Sequence, residues 1–313
     1  MNELELMNLA FKENNKKYFD QLKKSDLHNH ALLGSNRKVF NEFFPTYHLS
    51  HFETSNNIKS LSLFIKNNII LLSKTKEGQI KLFECTILTA INDGITQLDI
   101  SVDYRNAIYM YKHFNDYVKD LKKLKDKYKQ QIKINYDLGI SRESFEIEHE
   151  STIINLIKSK IFNGIDLYGD ELSKPIDLFV KIYQTAQKFE LCRKAHVGEF
   201  GTAQDIYIAI KLLHLNTIQH GIAIISDQQI MRYAKEKNIQ FNICPTSNIL
   251  LSRITDIKNH PIKEMFNFGL KVTINTDDQL IFERSLFDEY MLLYSNKVFN
   301  IEELNIIRIN SLS

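Results

Sequence analysis

Eight short runs rich in β-branched and other apolar residues recur along the chain, and segments of helical periodicity separate them. That alternation is the strongest restriction on the fold. The runs are 26–30, 97–104, 131–140, 164–168, 193–197, 217–220, 239–244 and 271–275. Between them, stretches such as Leu82 to Asn92 and Ile176 to Phe189 repeat apolar residues three and four positions apart, as amphipathic helices do. Alternating strands and helices predict a parallel sheet, and a closed (β/α)8 TIM-type barrel takes about 250 residues. The chain has 313, and the surplus sits mainly between Ala31 and Glu77. There the apolar segment Ile58 to Ser73 predicts a helical insertion after the first strand, beside the face where catalytic groups gather, so a lid is expected. No Pro-, Gly- or Ser-rich linker divides the chain, which predicts one domain over residues 1–313.

Charge bears on partners. Forty Lys and Arg against thirty-eight Asp and Glu leave a formal charge of +2, so there is no cationic field for a nucleic acid. The lysine-dense run Lys119 to Lys133 carries acids and spaced leucines, and reads as the solvated face of a helix. Cys85, Cys192 and Cys244 are odd in number and far apart, which predicts a reducing, cytoplasmic setting without disulfides. The first residues lack a secretory pattern, and no apolar stretch reaches the roughly 18 residues of a membrane span.

The candidate chemistry stands at strand ends. In Asp26-Leu27-His28-Asn29-His30 the two histidines are two apart, so a strand points both to one face. His196-Val197-Gly198-Glu199 ends the fifth run, His220-Gly221 the sixth and Asp277-Asp278 the eighth. A (β/α)8 barrel brings all these ends to one mouth. Each piece alone has a plainer explanation: His220 as a hydrogen-bonded core histidine, Asp277 or Asp278 as a helix cap. Four histidines at independent strand ends together with paired carboxylates point instead to a metal site. Three neutral imidazoles and one carboxylate suit zinc, with a position left for water whose pKa falls to about 7. The metalloprotease and cytidine-deaminase zinc motifs are absent, as are the phosphate-loop, dinucleotide and serine-hydrolase motifs.

Taken together and in order, the motifs resemble the adenosine deaminase family of the amidohydrolase superfamily. The matching residues are Leu27-His28-Asn29-His30, Leu167-Tyr168-Gly169-Asp170-Glu171, His196-Val197-Gly198-Glu199, Gln219-His220-Gly221, Cys244-Pro245-Thr246-Ser247-Asn248 and Asn275-Thr276-Asp277-Asp278. The resemblance implies that His28, His30, His196 and Asp277 hold a single zinc ion, and the absence of a lysine at Tyr168-Gly169 favours one metal over two. It further implies that Glu199 protonates purine N1, and that His220 and Asp278 orient and deprotonate the attacking water. On the substrate side stand His30, the Gly169 N–H meeting N3, and Asp278 meeting N7. The implied reaction is hydrolytic deamination of a 6-aminopurine nucleoside, adenosine or a 5′-modified adenosine, to the 6-oxopurine and ammonia. Deamination of free adenine or another aminopurine derivative, or nucleoside binding without catalysis, stand as alternatives.

Two departures from the family pattern bear on substrate and fold. After the two histidines the family places an acid that binds the ribose hydroxyls, whereas Ala31-Leu32-Leu33-Gly34-Ser35 is one residue longer and puts Leu33 there. Leucine accepts no hydrogen bond, and a buried 5′-hydroxyl facing it goes unpaired at about 1–3 kcal/mol. Either the substrate carries an apolar 5′ group, as 5′-methylthioadenosine and 5′-deoxyadenosine do, or another acid, with Glu42 and Glu53 as candidates, replaces the contact. The family also continues into another helix where this sequence stops at Ser313, so a thin last helical layer is expected.

Overall fold

A computed structural model describes residues 1–53 and 58–312. Among them eight parallel strands form one sheet in sequential order: β1 (Ser25–His30), β2 (Gln97–Asp103), β3 (Lys133–Ser141), β4 (Phe162–Tyr168), β5 (Cys192–His196), β6 (Thr217–Gln219), β7 (Gln240–Ile243) and β8 (Lys271–Ile274). Every expected strand is present, with bounds moved by two residues at most. The sheet closes where Asn29 bridges to Asp277 and the Asp277 N–H donates to the His28 carbonyl at 3.0 Å. The barrel is therefore fastened at its catalytic mouth, through the residues predicted to carry chemistry.

The strand sequences explain the layers. In β3, Ile134, Tyr136, Leu138 and Ile140 alternate with Asn135, Asp137 and Gly139, and the apolar set packs in the main hydrophobic core. Their helical counterparts include Phe114–Tyr128, whose Tyr117, Leu121, Leu124 and Tyr128 are buried while its lysines face solvent. The lysine-dense run is thus a solvated helix face, as expected. Side chains pointing into the barrel are largely polar, which sets this interior apart from an ordinary aliphatic barrel core.

The insertion after β1 supplies helices Arg37–Phe43 and Ile58–Asn68 and a short 3-10 turn at Leu72–Lys74, before the long helix Lys76–Asn92. Part of the predicted insertion, residues 54–57, lies outside the described residues. The insertion has its own small core of Leu33, Phe40, Leu61, Ile69 and Leu82 against Leu251, Leu280, Ile281 and Phe282. Its Leu33, Leu61 and Ile65 line the cavity at the mouth of the barrel. The last helical layer is not thin: Leu286–Ser295 and Ile301–Asn310 both pack against β8.

Candidate active site

At the mouth, the strand ends turn into loops through left-handed backbone, with φ of 61° at His220 and 59° at Asp277. Such a conformation costs a non-glycine residue about 1–3 kcal/mol and is tolerated where the surroundings fix it. Here it aims both side chains into a shared space. His28 Nε2 stands 3.0 Å from His196 Nε2, and Asp277 Oδ1 lies 3.6 Å from His28 Nε2 and 3.4 Å from His30 Nε2. Ligand atoms each about 2.1 Å from one ion stand roughly 3.0–3.5 Å apart; His28, His30 and His196 form one group that could hold a metal ion, and Asp277 reaches His28 and His30 at close to that spacing, so the donors fit the chemistry of zinc. The outer ring nitrogens are also engaged: His196 Nδ1 meets Asp166 Oδ1 at 3.2 Å, and His28 Nδ1 faces the Asn242 carbonyl at 3.4 Å and Cys244 Sγ at 3.3 Å. Partners of this kind orient metal-binding imidazoles.

The protonation pattern follows from burial and neighbours. Burial opposes ionisation of Asp277, yet the surrounding His28, His30 and His220 hold it well below the usual carboxylate range. Burial, with the charges of Asp277 and Glu171, pushes Glu199 well above its usual value, which favours its carboxylic acid form. Burial and Asp277 raise Asp278 to about 7. Burial lowers His220 to about 3, with Asp277 opposing, and lowers His28 well below its usual value. The site thus combines a carboxylate held ionised at Asp277, a carboxyl with raised proton affinity at Glu199 and one poised near neutrality at Asp278.

A relay fixes which nitrogen of His220 carries the proton. His260, lowered to about 3 by burial, accepts from the Ile262 N–H at Nδ1, so its Nε2–H donates to Asn248 Oδ1 at 3.3 Å. The Asn248 amide then donates to Glu199 Oε1 and to His220 Nδ1, both at 3.2 Å. His220 therefore carries its proton on Nε2, which faces Glu199 Oε2 at 3.6 Å and Asp277 Oδ2 at 3.7 Å. A second anchor is Glu171, whose carboxylate accepts from the backbone N–H of Gly198, Phe200 and Gly201 and so pins the loop that carries Glu199.

A cavity of about 500 Å³ opens over this cluster. His30, Gly169, His196, Glu199, His220, Asp277 and Asp278 line its inner end, while Leu33, Leu61 and Ile65 form an apolar wall from the insertion. The structure thus brings His30, Gly169, His196, Glu199, His220, Asp277 and Asp278 together in one lining, with His28 just beneath it. One expectation is corrected. Glu42 and Glu53 are exposed and do not line the cavity, whose outer acids are instead Asp103 and Glu143. From the insertion Leu61 and Ile65 line the cavity, while Phe64 packs edge-on against Phe52, ring centroids 5.4 Å apart. The sequence also gave no sign of Asp166, His260 or the salt link of Asp103 with Arg105, because their roles depend on neighbours far away in the chain.

The adenosine deaminase family model matches residues 130–313, more than half of the chain. The chain is 35% identical to the protein described as "Putative adenosine/adenine deaminase" of Treponema pallidum (strain Nichols), over 219 residues that make up 69% of this chain and 73% of that one.

The chain belongs to the adenosine deaminase family.

It is accordingly a hydrolytic deaminase of the family that acts on aminopurines. It is also 34% identical over 171 residues to the adenosine deaminase of Clostridium acetobutylicum, a match spanning 53% of this chain and 51% of the relative, about half its length. Among solved structures, a zinc-bound amidohydrolase from Burkholderia ambifaria superposes with a TM-score of 0.76 at 19% identity, over 95% of this chain and 86% of that one, which shows a shared fold. No helix of the described residues is long and apolar enough to cross a membrane.

Proposed function

We propose that this family member removes the 6-amino group of a purine nucleoside, adenosine or a 5′-modified adenosine, using one zinc ion held by His28, His30, His196 and Asp277. The observation that carries this reading is the placement of a buried Glu199, its proton affinity raised by burial, beside the metal-type cluster and in the lining of the cavity that also takes in Gly169 and Leu33. One zinc-bound structure of the same fold supports the choice of ion.

Zinc in this donor set supplies a Lewis acid that makes water nucleophilic near neutral pH. The chain's own residues do the rest. Glu199 gives its proton to purine N1 as water adds at C6, and Asp278 accepts the proton that the water loses. His220, with its proton on Nε2, orients the incoming oxygen by donating to it. Asp278 then protonates the departing amino group, the remaining hydroxyl proton returns to Glu199, and ammonia leaves the 6-oxopurine. The Gly169 N–H orients the ring through N3, Asp278 donates to N7 once it has taken up the water's proton, and His30 borders the base.

The test is ammonia release by zinc-loaded protein with adenosine, 5′-methylthioadenosine and adenine side by side, with Glu199→Gln as control. Turnover of a nucleoside that the control abolishes supports the reading. Preference for 5′-methylthioadenosine assigns the apolar wall at Leu33 to the 5′ group, whereas preference for free adenine overturns the nucleoside assignment. Full activity of Glu199→Gln would remove Glu199 as the acid.

A further inference from the structure

Beneath the histidine and aspartate cluster the barrel holds a buried cation that the reaction does not use. Lys194 precedes His196 by two residues on β5, so both point into the barrel. Its side chain is 3% exposed, and Nζ lies 2.6 Å from Asp99 Oδ2 on β2, 2.6 Å from Asp137 Oδ2 on β3 and 3.4 Å from the Leu27 carbonyl on β1. One ammonium thus ties its own strand to three others. The two carboxylates outweigh burial and hold the ammonium charged, well above its usual value.

The contact with Leu27 matters because β1 is irregular there. The register of β1 with β2 runs Asp26 to Leu98 and then Asn29 to Ile100, so Leu27 and His28 together oppose the single residue Asp99. A bulge of this kind takes a peptide out of the regular ladder and re-aims a side chain. The displaced Leu27 peptide is held by side chains instead: its N–H donates to Asn275 Oδ1 at 2.8 Å, and its carbonyl accepts from Asn242 Nδ2 at 3.0 Å as well as from Lys194. The residue whose direction the bulge sets is His28.

We propose that Lys194, anchored by Asp99 and Asp137, is a positioning residue that clamps the bulged Leu27 peptide and thereby sets the direction of the His28 imidazole toward the metal. The proposal rests on the reading of His28 as a ligand. Lys194 neither lines the cavity nor reaches the reacting atoms, so its effect runs through metal affinity and not through substrate binding.

The test compares wild type, Lys194→Met, and the uncharged triple variant Lys194→Met, Asp99→Asn, Asp137→Asn, which removes the cation without stranding the two carboxylates. Zn2+ affinity is measured by competition with a chromophoric chelator, apo-protein stability by thermal melting, and KM with zinc saturating. Expected is a loss of Zn2+ affinity of about 10–100-fold in both variants, an unchanged KM, and recovery of apo stability in the triple variant alone. Recovery of Zn2+ affinity in the triple variant overturns the proposal, because Lys194 would then only balance charge. So does wild-type affinity in Lys194→Met, or a triple variant that fails to fold, which would make the cluster a fold element. Failure of wild type to bind one Zn2+, or unchanged binding in His28→Ala, would instead overturn the assignment of the metal site.

Discussion

Replacing Glu171 by glutamine separates the loop that carries the acid from the site that carries the metal. The Glu171 carboxylate is 5% exposed, and it takes the Gly198 N–H at 2.6 Å, the Gly201 N–H at 2.8 Å and the Phe200 N–H. Glutamine keeps one oxygen, which suffices for the Phe200 and Gly201 donors that share Oε1. It then turns an NH2 group toward the Gly198 N–H, donor against donor. Losing one charge-assisted bond costs about 1.5–3 kcal/mol, and the orphaned buried N–H adds about 1 kcal/mol more. The expected destabilisation is therefore about 3 kcal/mol, read as a lower urea midpoint with an unchanged slope. A displacement of Glu199 by about 1 Å costs on the order of a hundredfold in turnover. Removing the Glu171 charge also takes away one of the influences that keep Glu199 protonated. The acid form of Glu199 is then lost at lower pH, and the alkaline limb of kcat against pH moves to lower pH. Zinc stoichiometry stays at the wild-type value, since Glu171 touches no proposed ligand. A variant with wild-type midpoint and wild-type kcat, or one that loses zinc, would refute the reasoning.

Three further outcomes are expected. Gly169→Ala puts a side chain at a φ of +90° and its Cβ 2.1 Å from Glu143 Oε2, so the backbone is strained and the Glu143 side chain must move; stability should fall by about 1–3 kcal/mol and KM should rise, and an unchanged KM would detach Gly169 from substrate binding. Burial raises Glu289 to about 8, so the folded state keeps a proton that the unfolded state gives up above about 4.5. Wild-type stability should thus decline with rising pH across that window, by at most about 1.4 kcal/mol per unit from this group. Glu289→Gln should remove that part of the slope in chemical denaturation, and parallel curves would count against it. Leu33→Asp gives the cavity wall an acceptor, and the ratio of kcat/KM for adenosine over 5′-methylthioadenosine should rise roughly tenfold or more; an unmoved ratio would show that Leu33 does not face the 5′ position.

Much of this protein was legible from its sequence alone. Strand–helix alternation settles the parallel barrel because local periodicity is strong in runs such as Ile134, Tyr136, Leu138 and Ile140. The barrel rule then places His28, His30, His196, His220 and Asp277 at one mouth, since every strand ends there. The direction of Glu199's proton affinity could be expected, because a carboxyl with a donor's task must be buried. What the sequence could not supply is the identity of partners that meet only in three dimensions. Asp166 reads as one more strand residue until its carboxylate is seen against His196 Nδ1. His260 reads as a loop residue until it fixes Asn248 and, through it, the tautomer of His220. Lys194 breaks the apolar pattern of a buried strand, and only the closed barrel shows two aspartates and a bulged carbonyl waiting for it. Residue type and spacing determine which elements form and which faces they bury; which charges become neighbours, and so which protons are held, is decided only when the barrel closes.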